Sequence, residues 1–267
     1  MKKTTRFLAL SLMLALCLCL AACGSSQGSA AADTDSAYVK ANGKLIVGIT
    51  DFAPMDFQDA SGNWVGFDAD MAAAFAESLG VAVEYQVIEW DNKVMELNGK
   101  TIDCVWNGMT LTDEVKNSME CSGPYCYNAQ IVVVPAAVAD QYVTAESLKD
   151  LHFAVENGSA GKEMAEENGF AYTEVLDMAT ALLEVKSGTA DAAIIDSLMA
   201  AAMVGPGTDY ADLTYTIGLN SEEYGVGFRK GSDLAEALNS FFKAAYADGR
   251  VQACAEKYGI QAALIDQ

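Results

Sequence analysis

Hydrophobic positions along this chain fall into short apolar runs that alternate with segments of helical periodicity. Residues 44–50 form an apolar run rich in branched side chains, which predicts a buried strand. Met71, Phe75 and Leu79 recur at a spacing of four and predict a helix that Asp68 would cap. The same reasoning predicts further strands, at 81–88, 102–105 and 130–135.

The alternation of strands and helices continues in the second half of the chain. Strands are predicted at 151–155, 171–175 and 192–195, with helices at 162–168 and 178–187. This order is typical of α/β folds with open, mostly parallel sheets, where ligands bind beyond the carboxyl ends of the strands. The loops that follow predicted strands are therefore candidate binding segments: 51–57, 89–91, 107–112, 157–161 and 196–197.

The N-terminal segment differs from the rest of the chain and is typical of an export signal. A basic start precedes an apolar stretch at 7–20, which is too short to span a membrane. The string LAAC, ending at Cys23, resembles a bacterial lipobox, although a plain signal peptide is the alternative. We expect 1–22 to be a lipoprotein signal peptide and 23–43 to be a lipidated cysteine with a flexible tether. The protein would then lie outside the cytoplasm, anchored to the cell membrane through Cys23.

Composition excludes several classes of function. The 267 residues carry a formal net charge of −21, which disfavours nucleic-acid binding because such a surface repels phosphates. The single histidine and the lack of any metal-ligand spacing predict no metal site and no cofactor. No phosphate-binding GxxxxGK[ST] loop is present in the sequence, so an ATPase activity would require another chain.

Four cysteines follow Cys23. Cys121 and Cys126 flank a turn-like Ser-Gly-Pro-Tyr string, and export makes a disulfide between them possible. The alternative is that these two cysteines, with Cys104 and Cys254, are small buried apolar residues.

Several strings then occur in an order that resembles one family. They are GITDFAPMDF at 48–57, VGFDADMAAAFAESLGV at 65–81, GKTIDCVWNGMTLTDE at 99–114 with SGPY behind it, ENGSAG at 156–161, SGTADAAIID at 187–196 and YGVGFRKG at 224–231. Together they resemble solute-binding protein family 3, the extracytoplasmic receptors of polar amino acid ABC transporters. The resemblance covers about 44–260.

The resemblance implies a two-lobed, type II periplasmic-binding-protein-like fold with two open mixed sheets. Lobe 1 would comprise 44–134 plus 224–267 and lobe 2 would comprise 138–220, with hinge crossings near 133–137 and 219–223. It also implies a non-catalytic, monomeric protein that captures a small polar solute between the lobes and delivers it to a membrane permease. Two lobes with few crossings predict hinge closure.

Loop residues of the first lobe acquire expected roles from the same resemblance. Phe52 and Trp90 would form apolar walls around the ligand, the alternative being core packing. Asn107, Gly108 and Thr110 match a segment that offers hydrogen bonds to the ligand, the alternative being an ordinary loop. Gly108 would allow close approach of the backbone.

Three residues of the second lobe complete the expected site. Ser159 and Ala160 precede a helix whose free N–H groups favour an anion, although Ser159 could also be a simple helix cap. Asp196 matches the carboxylate that receives a ligand α-amino group, since a desolvated carboxylate needs a cationic partner. The alternative for Asp196 is a cap for the next helix.

One position departs from the family pattern. Family members commonly carry arginine, which pairs with the ligand carboxylate, where this chain has Val115; Lys116 follows it but should face another way on a helix. Burying a carboxylate without a cation is costly. The ligand is therefore either an amino acid whose carboxylate is held by helix N-termini or an unplaced basic residue, or an amine or neutral polar solute without an α-carboxylate.

Other functions remain open on the same fold. A lyase or dehydratase would need a positioned acid or base, for which Asp56 and Asp196 are candidates. A sensor that delivers ligand to a receptor, or an adhesion protein, is a third class.

Overall fold

Two open mixed β-sheets organise residues 34–267, which is the part of the chain described by this computed structural model. The predicted signal peptide, the lipidated Cys23 and most of the tether lie outside the described residues. Within 34–267, no helix has the length and apolar character needed to cross a membrane.

Helices and strands alternate along the chain. The first part contains α1 (Asp35–Asn42), β1 (Lys44–Ile49), β2 (Phe57–Gln58), β3 (Trp64–Val65), α2 (Phe67–Leu79), β4 (Ala82–Val87), α3 (Lys93–Asn98), β5 (Cys104–Thr110), α4 (Asp113–Ser118), β6 (Glu120–Cys121) and β7 (Cys126–Asn128). The middle part contains β8 (Gln130–Pro135), β9 (His152–Glu156), α5 (Ala160–Asn168), β10 (Ala171–Val175), α6 (Met178–Ser187), β11 (Ala192–Asp196), α7 (Ser197–Met203) and β12 (Leu213–Gly218). The last part contains β13 (Glu222–Phe228), α8 (Leu234–Ala247) and α9 (Arg250–Tyr258).

The first sheet has the strand order β4-β1-β5-β13-β6, with β7 also paired to β13. Strands β1, β4 and β5 run parallel, and β13 runs antiparallel to β5. Because β1 is a central strand, its apolar residues Leu45, Val47 and Ile49 are fully buried. The parallel arrangement places the carboxyl ends of β1 and β5 at one edge, where the first half of the site forms.

The second sheet has the order β10-β9-β11-β8-β12. Strands β10, β9 and β11 are parallel, whereas β8 is antiparallel to both β11 and β12. The carboxyl ends of β9 and β11 therefore lie side by side and carry Glu156 and Asp196 at their last positions.

The chain passes between the two sheets twice, between Asn128 and Gln130 and between Gly218 and Glu222. The first passage precedes the 133–137 segment expected from the sequence, because β8 pairs with β11 and β12 and so belongs to the second sheet. An apolar run such as 130–135 fits either sheet, and only its pairing partners decide between them.

Large aromatic side chains fill the core of the first lobe. Trp106 packs against Phe75 and Phe242, at ring-centroid distances of 6.3 and 5.7 Å, and is fully buried. In the second lobe, Phe153 stacks on Phe170 at 4.8 Å.

The four cysteines of the described residues are free thiols. Cys121 lies opposite Gly227 and Cys126 opposite Tyr224, three residues apart along β13. That separation corresponds to about 10 Å, which is too long for a disulfide. The cysteine pairing considered from the sequence is therefore absent here, and Cys104 and Cys126 are buried residues of the core.

Candidate functional site

A cavity of about 280 Å³ lies between the two lobes, at the carboxyl ends of β5, β9 and β11. This volume is near the lower end for ligand pockets and is large enough for one small solute. The first lobe lines the cavity with Trp90, Lys93, Asn107, Gly108, Thr110 and Val115. The second lobe lines it with Gln130, Glu156, Ser159, Ala160 and Asp196.

Eight of the nine residues expected to contact a ligand line this cavity, and Phe52 does not. Phe52 is fully buried, with its ring edge-on to Tyr224 at 6.3 Å. It lies beneath Gly108, where a Cβ atom would overlap the Phe52 ring. The core-packing alternative therefore describes Phe52, because its side chain points into the lobe rather than beyond the strand end.

The Gly108 backbone reaches the cavity in a conformation that favours glycine. Its φ angle is 55°, and the Phe52 ring leaves no room for a side chain. The Gly108 N–H donates to Asp68 Oδ2 at 2.6 Å. That donor is therefore used inside the protein and is not available to a ligand.

Asp68 forms a hydrogen bond with this loop. It does not cap α2, which is the role predicted from the sequence. Gly66 occupies the cap position, and the Asp68 carboxylate accepts hydrogen bonds from Gly108 N and from Tyr125 Oη at 2.8 Å. Burial raises the pKa of Asp68 to about 7, an effect opposed by those hydrogen bonds.

Asp56 is buried in the same lobe, and its own pKa is raised by burial and then by the charge of Asp68. It does not line the cavity, so one of the two acids considered for a lyase lies outside the candidate site.

Asn107 and Thr110 line the cavity, but their side chains also hold the fold together. The Asn107 amide accepts from Thr50 N and donates to Thr50 Oγ1, both at 2.8 Å, which ties β5 to the end of β1. Thr110 Oγ1 donates to Glu222 Oε1 at 2.9 Å, next to the second passage between the sheets.

Asp196 ends β11 with its carboxyl group buried in the cavity wall. Its Oδ1 accepts from Asn128 Nδ2 at 2.8 Å and from Gln130 Nε2. It stands at the start of α7 but makes no side-chain capping bond, so the capping alternative does not account for it. No ion pair within 34–267 involves Asp196.

The electrostatic environment of the Asp196 carboxyl group favours a positively charged ligand group. Burial, and then the charge of Glu222, raise the pKa of Asp196 well above its usual range, whereas the Gln130 and Asn128 amides oppose the rise. An ammonium group placed beside this carboxylate would offset the same desolvation, because it supplies the missing opposite charge.

Glu156 is a second cavity acid that sequence reasoning missed. It ends β9 next to β11, is only 2% exposed, and its Oε1 has no hydrogen-bond partner in the described part of the chain. Burial raises its pKa well above the usual range, followed by the charges of Asp196 and Asp177, while Lys93 opposes the rise. Its place at a strand end, the same signal that identified Asp196, could have found it.

Ser159 and Ala160 bring the start of α5 to the cavity. Ser159 Oγ accepts from Lys162 N at 3.2 Å and donates to the Glu156 carbonyl at 2.8 Å, so it is a helix cap as well as a lining residue. The N–H groups of the first turn point out of the helix and favour negative charge.

Val115 faces the cavity from α4, which begins at the Thr112 cap. Thr112 Oγ1 accepts from Val115 N at 3.2 Å. Lys116 is exposed and does not line the cavity, as the 100° rotation between helical neighbours predicts. The helix therefore presents an apolar side chain, with no cation, at this position.

Lys93 is the other residue that sequence reasoning missed. It begins α3, is 8% exposed, and its Nζ donates to the carbonyl oxygens of Trp90 and Gly158 at 3.2 and 2.9 Å. The ammonium lies 5.0 Å from the centre of the Trp90 ring, a cation–π distance. No sequence motif marks Lys93, since its burial depends on contact with Gly158 of the second lobe.

Acidic side chains dominate the cavity lining. Among its described residues, two are lysines, and the acidic ones are Asp91, Glu114, Glu156, Glu163, Glu166 and Asp196. The lining thus has a net negative charge, which raises the local concentration of positively charged solutes.

Comparisons with known proteins place the fold in context. The model of the bacterial extracellular solute-binding proteins, family 3, matches residues 45–261. The L-cystine-binding protein TcyJ of Escherichia coli (strain K12) is 31% identical over 224 residues, covering 82% of this chain and 84% of that protein. The arginine-binding extracellular protein ArtP of Bacillus subtilis (strain 168) is 30% identical over 240 residues, covering 86% and 91%. The crystal structure of AncCDT-1, an ancestral amino acid-binding protein and a precursor of cyclohexadienyl dehydratase, superposes with a TM-score of 0.76 at 32% identity, covering 84% and 98%.

Proposed function

Because this chain belongs to the bacterial extracellular solute-binding proteins of family 3, we propose that it is the non-catalytic receptor of an ABC importer for a polar amino acid. The receptor would bind its solute in the cavity between the lobes, close on it as a monomer and dock on a membrane permease. Closure would be coupled to binding by a higher affinity of the closed state for the solute.

The observation that carries this proposal is the Asp196 carboxyl group. It is buried in the cavity wall, and no ion pair of the described chain neutralises it. A ligand α-ammonium supplies that charge and converts an unfavourable burial into a charge-assisted hydrogen bond.

A solute with a positively charged side chain fits the rest of the lining best. Glu156 adds a second buried carboxyl group whose Oε1 has no partner among residues 34–267. The acidic surplus of the lining favours a ligand with net positive charge. ArtP is named as an arginine-binding protein, and arginine or lysine would place one cation at each acid.

Attachment to the membrane is part of the same proposal. The leader and the LAAC string at Cys23 support export and acylation. A protein tethered in this way would remain close to its permease after each delivery.

Calorimetry with a panel of amino acids and polyamines tests the proposed function. We expect binding of at least one cationic amino acid, and mass spectrometry of the bound species should recover it unchanged. Absence of binding to every amino acid in the panel would contradict the proposal.

A lyase or dehydratase is the second candidate, because AncCDT-1 is described as a precursor of a dehydratase. The acids with raised pKa that line the cavity, Asp196 and Glu156, would be its general acid or base. Recovery of a chemically altered solute in the same mass measurement would favour this function over capture.

A further inference from the structure

We propose that the Lys93 ammonium binds the α-carboxylate of the captured amino acid and replaces the arginine absent at position 115. The inference rests on the proposed function and deepens it, because it requires the solute to keep its α-carboxylate. The basic residue that sequence alone could not place is thus assigned to α3.

Lys93 is a buried cation that forms no ion pair in the described chain, although the charges of Glu156 and Asp91 oppose the lowering of its pKa by burial. Its side chain lines the cavity and is 8% exposed. Two of its three N–H donors are used by the carbonyls of Trp90 and Gly158. One donor therefore remains for a solute, and a charged acceptor would offset the cost of burying the ammonium.

The cavity lining thus contains a cation and an anion that take part in no ion pair of the described chain, Lys93 and Asp196. A zwitterion satisfies both charges at once, with its ammonium at Asp196 and its carboxylate at Lys93. An amine satisfies only Asp196 and leaves Lys93 buried and unpaired. The two charges together select an α-amino acid over the corresponding amine.

The second lysine of the lining does not compete for this role. Lys162 Nζ forms an ion pair with Glu174 at 2.9 Å and donates to Asn157 Oδ1 at 3.2 Å. Its charge is already matched within the protein.

A different role for Lys93 is to clasp the lobes, since its ammonium on the first lobe donates to Gly158 on the second. A clasp would stabilise the closed state with any bound solute. Loss of such a clasp would weaken the binding of amino acids and of amines equally, whereas loss of a carboxylate contact would weaken the binding of amino acids selectively.

Calorimetry on matched ligand pairs separates these roles. The probes are L-arginine with agmatine and L-lysine with cadaverine, and each amine lacks only the α-carboxylate. The wild type should prefer the amino acid in each pair. We expect Lys93→Met to lower the affinity for L-arginine by roughly 10- to 100-fold and the affinity for agmatine by less than about threefold.

Two further variants complete the design. Lys93→Arg keeps the charge and should recover most of the selectivity, whereas Lys149→Met, at an exposed lysine outside the cavity lining, should leave the affinities for both ligands of a pair unchanged. Circular dichroism and thermal unfolding check that each variant folds. The ratio of the wild-type affinities for L-arginine and agmatine tests the assignment without any substitution.

Equal affinity of the wild type for L-arginine and agmatine would overturn the assignment, as would equal losses of both in Lys93→Met or no loss at all. These outcomes leave amino acid capture intact. Failure of the wild type to bind any amino acid would instead refute the proposed function, and with it the role of Lys93.

Discussion

Replacing Asp196 by asparagine should remove a charge from the cavity while keeping the shape of its wall. The asparagine carbonyl can still accept the hydrogen bonds that Asn128 and Gln130 donate to Oδ1. An alanine at this position would leave both amides without that acceptor. Asp196→Asn therefore isolates the electrostatic contribution of the carboxylate to binding.

The expected loss of affinity is large, because Asp196 is 6% exposed and the ligand ammonium would be buried beside it. Removing one partner of a buried ion pair costs about 3–5 kcal/mol. This corresponds to a dissociation constant raised by roughly 150- to 5,000-fold.

Without ligand, Asp196→Asn should instead stabilise the folded protein. The folded state raises the pKa of Asp196, chiefly by burial, so it takes up a proton more readily than the unfolded state. Stability from this group is therefore lost as the pH rises from the ordinary range of an aspartate through the raised folded value. Asp196→Asn should consequently have a higher thermal midpoint at neutral pH and a shallower dependence on pH.

The assay is calorimetry with L-arginine, combined with thermal unfolding of the unliganded protein between pH 5 and 8. Asp150→Asn is the matched control, since Asp150 is exposed and lies outside the cavity lining; both its affinity and its midpoint should equal those of the wild type. Wild-type affinity in Asp196→Asn would refute the placement of the ligand ammonium at this carboxylate.

Three further variants test other parts of the structure. Glu156→Gln should lower affinity for L-arginine by about tenfold or more but change affinity for its uncharged isostere L-citrulline little, and calorimetry showing equal losses would exclude Glu156 as the partner of the side-chain cation. Gly108→Ala should destabilise the protein by more than about 1 kcal/mol in urea unfolding, because alanine disfavours the positive φ and its methyl group meets the Phe52 ring; an unchanged midpoint would contradict this packing. Cys23→Ala should release the protein from the membrane fraction of cells, and its retention there would argue against anchoring by an acylated cysteine.

Much of the candidate site follows from one rule applied to the sequence. The carboxyl ends of parallel strands meet at one edge of a sheet, which brings Asn107 and Gly108 of β5 and Asp196 of β11 to the cavity. The rule says where a residue stands but not which way its side chain points. Phe52 follows β1 yet turns into the core, beneath Gly108, and Asp68 turns to hydrogen-bond the loop instead of capping its helix.

The sequence by itself determined the α/β class, the family resemblance and the absence of arginine at position 115, because these depend on local periodicity and on residue identity. Tertiary structure alone decided the charge balance of the cavity. Lys93 is a helix residue with no motif, and its buried ammonium donates to Gly158 across the cleft as well as to Trp90 of its own lobe. Likewise, β8 joins the second sheet through its pairing with β11 and β12, since a short apolar run does not by itself specify its pairing partners.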